Sequence, residues 1–188
     1  MKRTARVSKS KIMNPNFFVF CEGETEEVYI KFLRSVYRVP IQIISRKSDS
    51  NISDKYIERC KKEYVETRND KTFLMFDLDV NGMLERLQRI PNVVLLCTNP
   101  CIELWFILHY IDCKSALTSN ECVKKLIKQE RQYAKGTLTD FMKSKFLESV
   151  TEAIERAKKL PLYENPSSSV YCLVEELHRM RMQKSKLS

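Results

Sequence analysis

At 188 residues and 22.2 kDa the chain can bury one sizeable core but is too short for two independent domains. It holds no run of about 18 apolar residues to span a bilayer, and its basic N-terminus lacks the apolar stretch of a signal peptide, so a cytoplasmic protein is expected. The formal charge of +9 sits entirely at the two ends: Lys2, Arg3, Arg6, Lys9 and Lys11 on one side, Arg179, Arg181, Lys184 and Lys186 on the other, with no acid among them. The body between is balanced. Basic ends fit either a contact with a polyanion or solubilising tails. The domain reading is a basic tail over 1–14, one domain over 15–181 (sheet core about 15–98, helical part about 99–181), and a basic tail over 182–188.

Asn16 to Cys21 reads as a buried strand that stops at an acidic turn, Glu22-Gly23-Glu24-Thr25-Glu26-Glu27. A helix follows with Val28, Tyr29, Phe32, Leu33 and Val36 at helical spacing and Thr25 as its expected cap; Pro40 ends it. Ile41 to Ile44 is a second strand. A helix over about 51–67 comes next, with Ser53 as its cap. Thr72 to Phe76 makes a third strand ending in Asp77-Leu78-Asp79, and a helix carrying Met83, Leu84 and Leu87 leads to a fourth, 92–97. Strands alternating with helices, joined by links long enough for crossovers, predict a parallel sheet of about four strands flanked by helices.

From Asn99 onward helices dominate. Pro100 suits the first turn of a helix whose Leu104, Trp105, Ile107, Leu108 and Ile111 make it apolar nearly all round, hence deeply packed. Further helices are predicted over about 119–130, 139–160 and 167–181, the last opening after the hydroxyl-rich Asn165-Pro166-Ser167-Ser168-Ser169. The seven cysteines show no CxxC spacing and mostly fall in apolar patterns, so reduced, buried thiols are expected rather than a zinc ribbon. With only three glycines the chain has no phosphate-cradling GxxxxGK[ST] loop, which excludes an NTPase of that type.

Chemistry points to the acids at the strand ends. Glu22 and Glu26 are four apart, and Asp77 and Asp79 alternate as on a strand, so each pair is expected to face one sheet edge. Hard divalent cations are held by one or two carboxylates with waters and substrate phosphates, and two such clusters at adjacent strand ends suit metal-assisted phosphoryl transfer. Glu24 and Glu27 read as acids placed for the helix dipole. Glu103, in an apolar helix beside Trp105, must be paired, metal-bound or at an exposed start, whereas His109 reads as packed. Lys135, beside Gly136 where the helical pattern breaks, is a candidate cation for a charged phosphate.

In order along the chain, Cys21-Glu22-Gly23-Glu24-Thr25-Glu26, Phe76-Asp77-Leu78-Asp79, Asn99-Pro100-Cys101-Ile102-Glu103-Leu104-Trp105 and Asn165-Pro166-Ser167-Ser168-Ser169-Val170 resemble the successive signatures of RloB-like proteins, a bacterial family similar to the Toprim fold of topoisomerases, primases and OLD-type nucleases. The resemblance implies a Toprim-like core in which Glu22, Asp77 and Asp79 bind Mg²⁺ or Mn²⁺, with Glu26 in support. It also implies that Glu103, Lys135 and the Asn165-Pro166-Ser167 turn line the same cleft. The implied activity is a metal-dependent nuclease acting on DNA or RNA, including tRNA, as an effector of anti-phage defence beside an ATPase partner. The alternative is a non-catalytic adaptor that holds nucleic acid or an ATPase. A topoisomerase or primase module is disfavoured for want of a strand-passage tyrosine context, with Tyr133 and Tyr171 left as tyrosines that spacing does not exclude.

Overall fold

The computed structural model describes residues 15–45 and 52–185. Strands β1 (Phe17–Cys21), β2 (Ile41–Ser45), β3 (Lys71–Asp77) and β4 (Val93–Asn99) are joined by the two-residue β5 (Ser167–Ser168) in the order β2-β1-β3-β4-β5. The first four run parallel, Phe17 standing opposite both Ile41 and Lys71, and only β5 is antiparallel, pairing Ser168 with Thr98 and Ser167 with Asn99. This mostly parallel sheet flanked by helices is consistent with a Toprim-like fold. The central strands are covered on both faces, which explains their unbroken apolar runs.

One face packs Phe17, Val19 and Cys21 of β1 against Tyr29, Ile30 and Leu33 of α1 (Glu24–Tyr37), the five apolar residues of α4 (Glu103–Leu108), and Leu173, Val174 and Leu177 of α8 (Tyr171–Ser185). The other packs Phe18 and Phe20 against Ile57 of α2 (Asp54–Lys61) and Met83 and Leu87 of α3 (Met83–Gln88). The chain therefore leaves β1 over one face and β3 over the other. A crevice opens where neighbouring strands part in this way, just beyond their carboxyl ends. On the first face α5 (Ser119–Gln129), α6 (Asp140–Glu148) and α7 (Val150–Lys158) complete the helical part, with α5 capped by a reciprocal Thr118–Glu121 box.

Several expectations change in detail. Thr25 does not cap α1, whose N-cap is Gly23 without a side-chain bond, because its hydroxyl is engaged by a distant loop. Ser53 does cap α2, accepting from the Tyr56 amide, but that helix stops at Lys61. Pro100 stands ahead of α4 rather than in its first turn. The predicted helix over 139–160 is two helices broken at Ser149, whose hydroxyl bonds the Lys145 carbonyl at 2.7 Å; such back-bonding bends or ends helices. The serines of 167–169 do not open a helix either. They cover the edge of β4, Ser169 Oγ accepting from the Cys97 amide (2.8 Å) and donating to the Leu95 carbonyl (2.9 Å), so α8 starts only at Tyr171. The tails over 1–14 and 186–188 lie outside the described residues, and α8 extends past the expected boundary at 181. Among the described residues no helix is long and apolar enough to cross a membrane.

Trp105 is fully buried and donates its indole N–H to the Tyr29 hydroxyl at 2.8 Å, tying α4 to α1 inside the first core. Tyr29→Phe keeps the ring and orphans that N–H. It should cost about 1–3 kcal/mol, read as a lowered urea midpoint with an unchanged slope.

Candidate active site

The crevice beyond β1 and β3 holds a cavity of about 320 Å³ lined by Glu22, Gly23, Glu24, Thr25, Glu26, Asp77, Ile102, Glu103, Lys135 and Gly136. Five of the six predicted site residues, Glu22, Glu26, Asp77, Glu103 and Lys135, thus meet at one place although they come from the turn after β1, α1, β3, α4 and the loop before α6.

Each is held differently. Glu22 follows directly on β1, and its Oε2 accepts the backbone amide of Asp77 at 3.2 Å, clasping one strand end to the next. Asp77 is the last residue of β3, and its Oδ1 accepts the Thr98 hydroxyl at 2.6 Å across the β3–β4 pair. Glu26 faces the cavity from the first turn of α1 with its carboxylate folded toward the helix start. A Cβ at Gly23 would lie 2.8 Å from Glu26 Oε2, so glycine at this position makes room for the carboxylate. Glu103, 1% exposed, receives the Tyr133 hydroxyl at 2.7 Å. Lys135 is exposed at the rim.

Asp79 and the Asn165-Pro166-Ser167 turn are not among the lining residues. β3 ends at Asp77, so the alternation expected to carry Asp79 to the same side does not extend that far, and Asp79 is exposed. The turn contributes at one remove, by pairing β5 with Thr98 and Asn99, while the Asn165 amide brackets the backbone of Leu117. Glu27 pairs with Lys31 at 2.6 Å, as a helix-surface acid does, whereas Glu24 joins the lining. His109 is packed, with ring centroids 4.9 Å from Trp105 and 4.5 Å from Phe146; burial pushes its pKa down to about 3. Tyr133 is buried against Glu103, which leaves it no access to a DNA strand. All seven cysteines are free thiols.

Three contributors escaped sequence reasoning: Thr98, Tyr133 as a partner of Glu103, and the Thr25–Gly136 bond. Thr98 carried a readable signal, a lone hydroxyl closing an apolar strand one step from an acid-ended neighbour. The other two had none, since their partners lie 30 and 111 residues away.

Electrostatically the cavity is a concentration of like charge. Burial, then the Glu103 and Glu22 charges, raise Glu26 to about 7, with Lys135 and its own amide opposing. Burial and the charges of Glu26, Glu103 and Glu22 raise Asp77 to about 8 against the Thr98 bond. Among the described residues no three His, Cys, Asp or Glu side chains form a ready-made metal cage. Magnesium asks for less than a cage: one or two carboxylates, with waters and substrate phosphates completing an octahedron. The oxygen-only donor set and its mutual repulsion fit such a cation.

A family model described as RloB-like protein matches residues 17–177. No curated protein and no solved structure matches.

The raised acids fix the sign of a pH effect. As pH rises from about 4, the unfolded chain releases the Asp77 proton while the folded chain keeps it to about 8, so stability falls across that window and the loss is complete above it. Asp77→Asn can still accept from Thr98 and removes the charge. In metal-free buffer its thermal midpoint should exceed that of the wild type at pH 8.5, by the equivalent of about 1–3 kcal/mol, and the gap should close toward pH 5.

Proposed function

Because the chain belongs to the RloB-like family, we propose that it is a metal-dependent nuclease that hydrolyses phosphodiesters in DNA or RNA, tRNA included, and acts as a defence effector beside an ATPase. The observation that carries the reading is the convergence of Glu22, Glu26, Asp77 and Glu103 with Lys135 on one cavity at the parting of β1 and β3. A nuclease of this kind needs carboxylates to hold a cation, a proton acceptor, and a positive group for charge that develops on the phosphate.

Glu22 and Asp77 would hold Mg²⁺ or Mn²⁺, being already clasped to each other at the strand ends, with exposed Asp79 available from outside the cavity. When bound, such a cation supplies Lewis acidity toward a phosphate oxygen and lowers the pKa of water. Thr98 keeps Asp77 turned to one side of the β3 end. Glu26, raised to about 7, stands near the pH at which a carboxylate exchanges a proton, as a general base requires. Lys135 at the rim is free to meet the non-bridging oxygens of a phosphate, which no carboxylate there would tolerate without a counter-charge. The second reading is the adaptor, in which the acids are structural; the exposure of Asp79 at the surface beyond β3 is the observation that favours it.

One assay separates the two. The wild type, with and without a candidate ATPase partner, is presented with tRNA, single-stranded DNA and duplex DNA in Mg²⁺ or Mn²⁺. Cleavage should appear and fall at least about a hundredfold in Asp77→Ala and about tenfold or more in Lys135→Ala. Absence of cleavage on every substrate, or an Asp77→Ala variant as active as wild type, would leave the adaptor.

A further inference from the structure

The segment between α5 and α6 approaches the cavity from the helical side and is fastened there at two points. Tyr133, 6% exposed, donates its hydroxyl to Glu103 Oε1 at 2.7 Å. Three residues on, the Gly136 amide donates to Thr25 Oγ1 at 3.0 Å, and the Thr25 hydroxyl itself faces the Tyr133 oxygen. Between the two anchors the chain makes a turn closed by Thr137 N–H to the Ala134 carbonyl at 3.1 Å, with Gly136 at φ +74° in its third position. A turn of this type suits glycine there. Lys135 occupies the second position, the corner, from which its side chain leaves at the cavity rim.

We infer that Tyr133 is the positioning residue of this cavity: its hydroxyl orients the Glu103 carboxylate, and its segment sets the Lys135 turn beside it. The inference rests on the cation-dependent reading above. Glu103 sits on a six-residue helix, almost wholly buried, where the Tyr133 hydroxyl and the Cys101 thiol are its side-chain hydrogen-bond partners. The hydroxyl is the stronger donor of the two, so its bond to Oε1 sets how the carboxylate is presented to the cavity it lines. Mutating partners that orient the groups around a bound cation typically costs about 10–100-fold in metal affinity. The same bond links the charged rim to the acids: whatever moves Tyr133 moves Glu103 and Lys135 together, and the Thr25 contact ties that movement to the first turn of α1, which carries Glu26.

The test uses full-length wild type, Tyr133→Phe, Glu103→Gln and the double variant, titrated calorimetrically with Mn²⁺ at pH 8.5, with metal-free thermal melts alongside. Tyr133→Phe should weaken Mn²⁺ binding about tenfold, Glu103→Gln at least as much, and the double variant no more than Glu103→Gln alone. A merely structural tyrosine would lower the melting midpoint and leave the affinity unmoved. Wild-type affinity in Tyr133→Phe, or losses that add in the double variant, overturns the inference while the cation site stands. A wild type that binds no Mn²⁺ removes the cation site and the inference with it. Should Tyr133→Phe not fold, Thr25→Val carries the test: a smaller loss of affinity in the same direction supports the positioning role, and unchanged affinity overturns it.

Discussion

The clasp from the Asp77 amide to the Glu22 carboxylate lies where the sheet divides, and most of the structure follows from what that place requires. β1 and β3 are neighbours, yet their outgoing helices pack on opposite faces, so the backbone beyond each strand turns away from the other. The crevice left between them is open to solvent at the top and apolar below. Burial and the neighbouring acids disfavour the charged forms of Glu26 and Asp77 there. Hydrogen bonds from Thr98 to Asp77, from the Asp77 amide to Glu22, and from Tyr133 to Glu103 hold the group in place against that repulsion.

The helical part on one face is a support for this edge. α4 is too short to be stable alone and owes its place to burial of every residue from Glu103 to Leu108. Its Trp105 is tied to Tyr29, its Phe106 stacks near Phe146 at 5.1 Å, and its last carbonyl, Leu108, accepts from Arg156 at 2.7 Å. Through these contacts the end of α4 that bears Glu103 is held relative to α1, which bears Glu26. A site assembled from short pieces is as rigid as the packing beneath it, and here that packing is aromatic and nearly dry.

Much of this was legible from residue order. The apolar runs at Phe17, Ile41, Thr72 and Val93, each followed by a polar break and a helical pattern, specify parallel strands, and strand-end acids are exposed by the same pattern. Glu22 and Asp77 could be named because strand periodicity stops just before them. Asp79 was grouped with them by extending that periodicity past the point where β3 ends. The serines of 167–169 misled in the opposite sense: hydroxyls before a helical pattern read as caps, but an unpaired edge of β4 offered them backbone partners that the local sequence does not show. Thr25 failed as a cap for the same reason, its partner being 111 residues away.

By itself, then, the sequence determined the alternation of strands and helices, the sheet that alternation demands, and the presence of acids at two strand ends, because these depend on periodicities of two and 3.6 residues that are local. Tertiary structure alone decided that β1 and β3 would be the strands that part, by which contacts Glu103 and Lys135 would reach the cleft that only the family resemblance had implied for them, and that Asp79 would not be among its lining residues. Those outcomes turn on which faces the connecting helices cover and where distant loops dock, and contacts between residues far apart in the chain carry no period by which sequence could announce them.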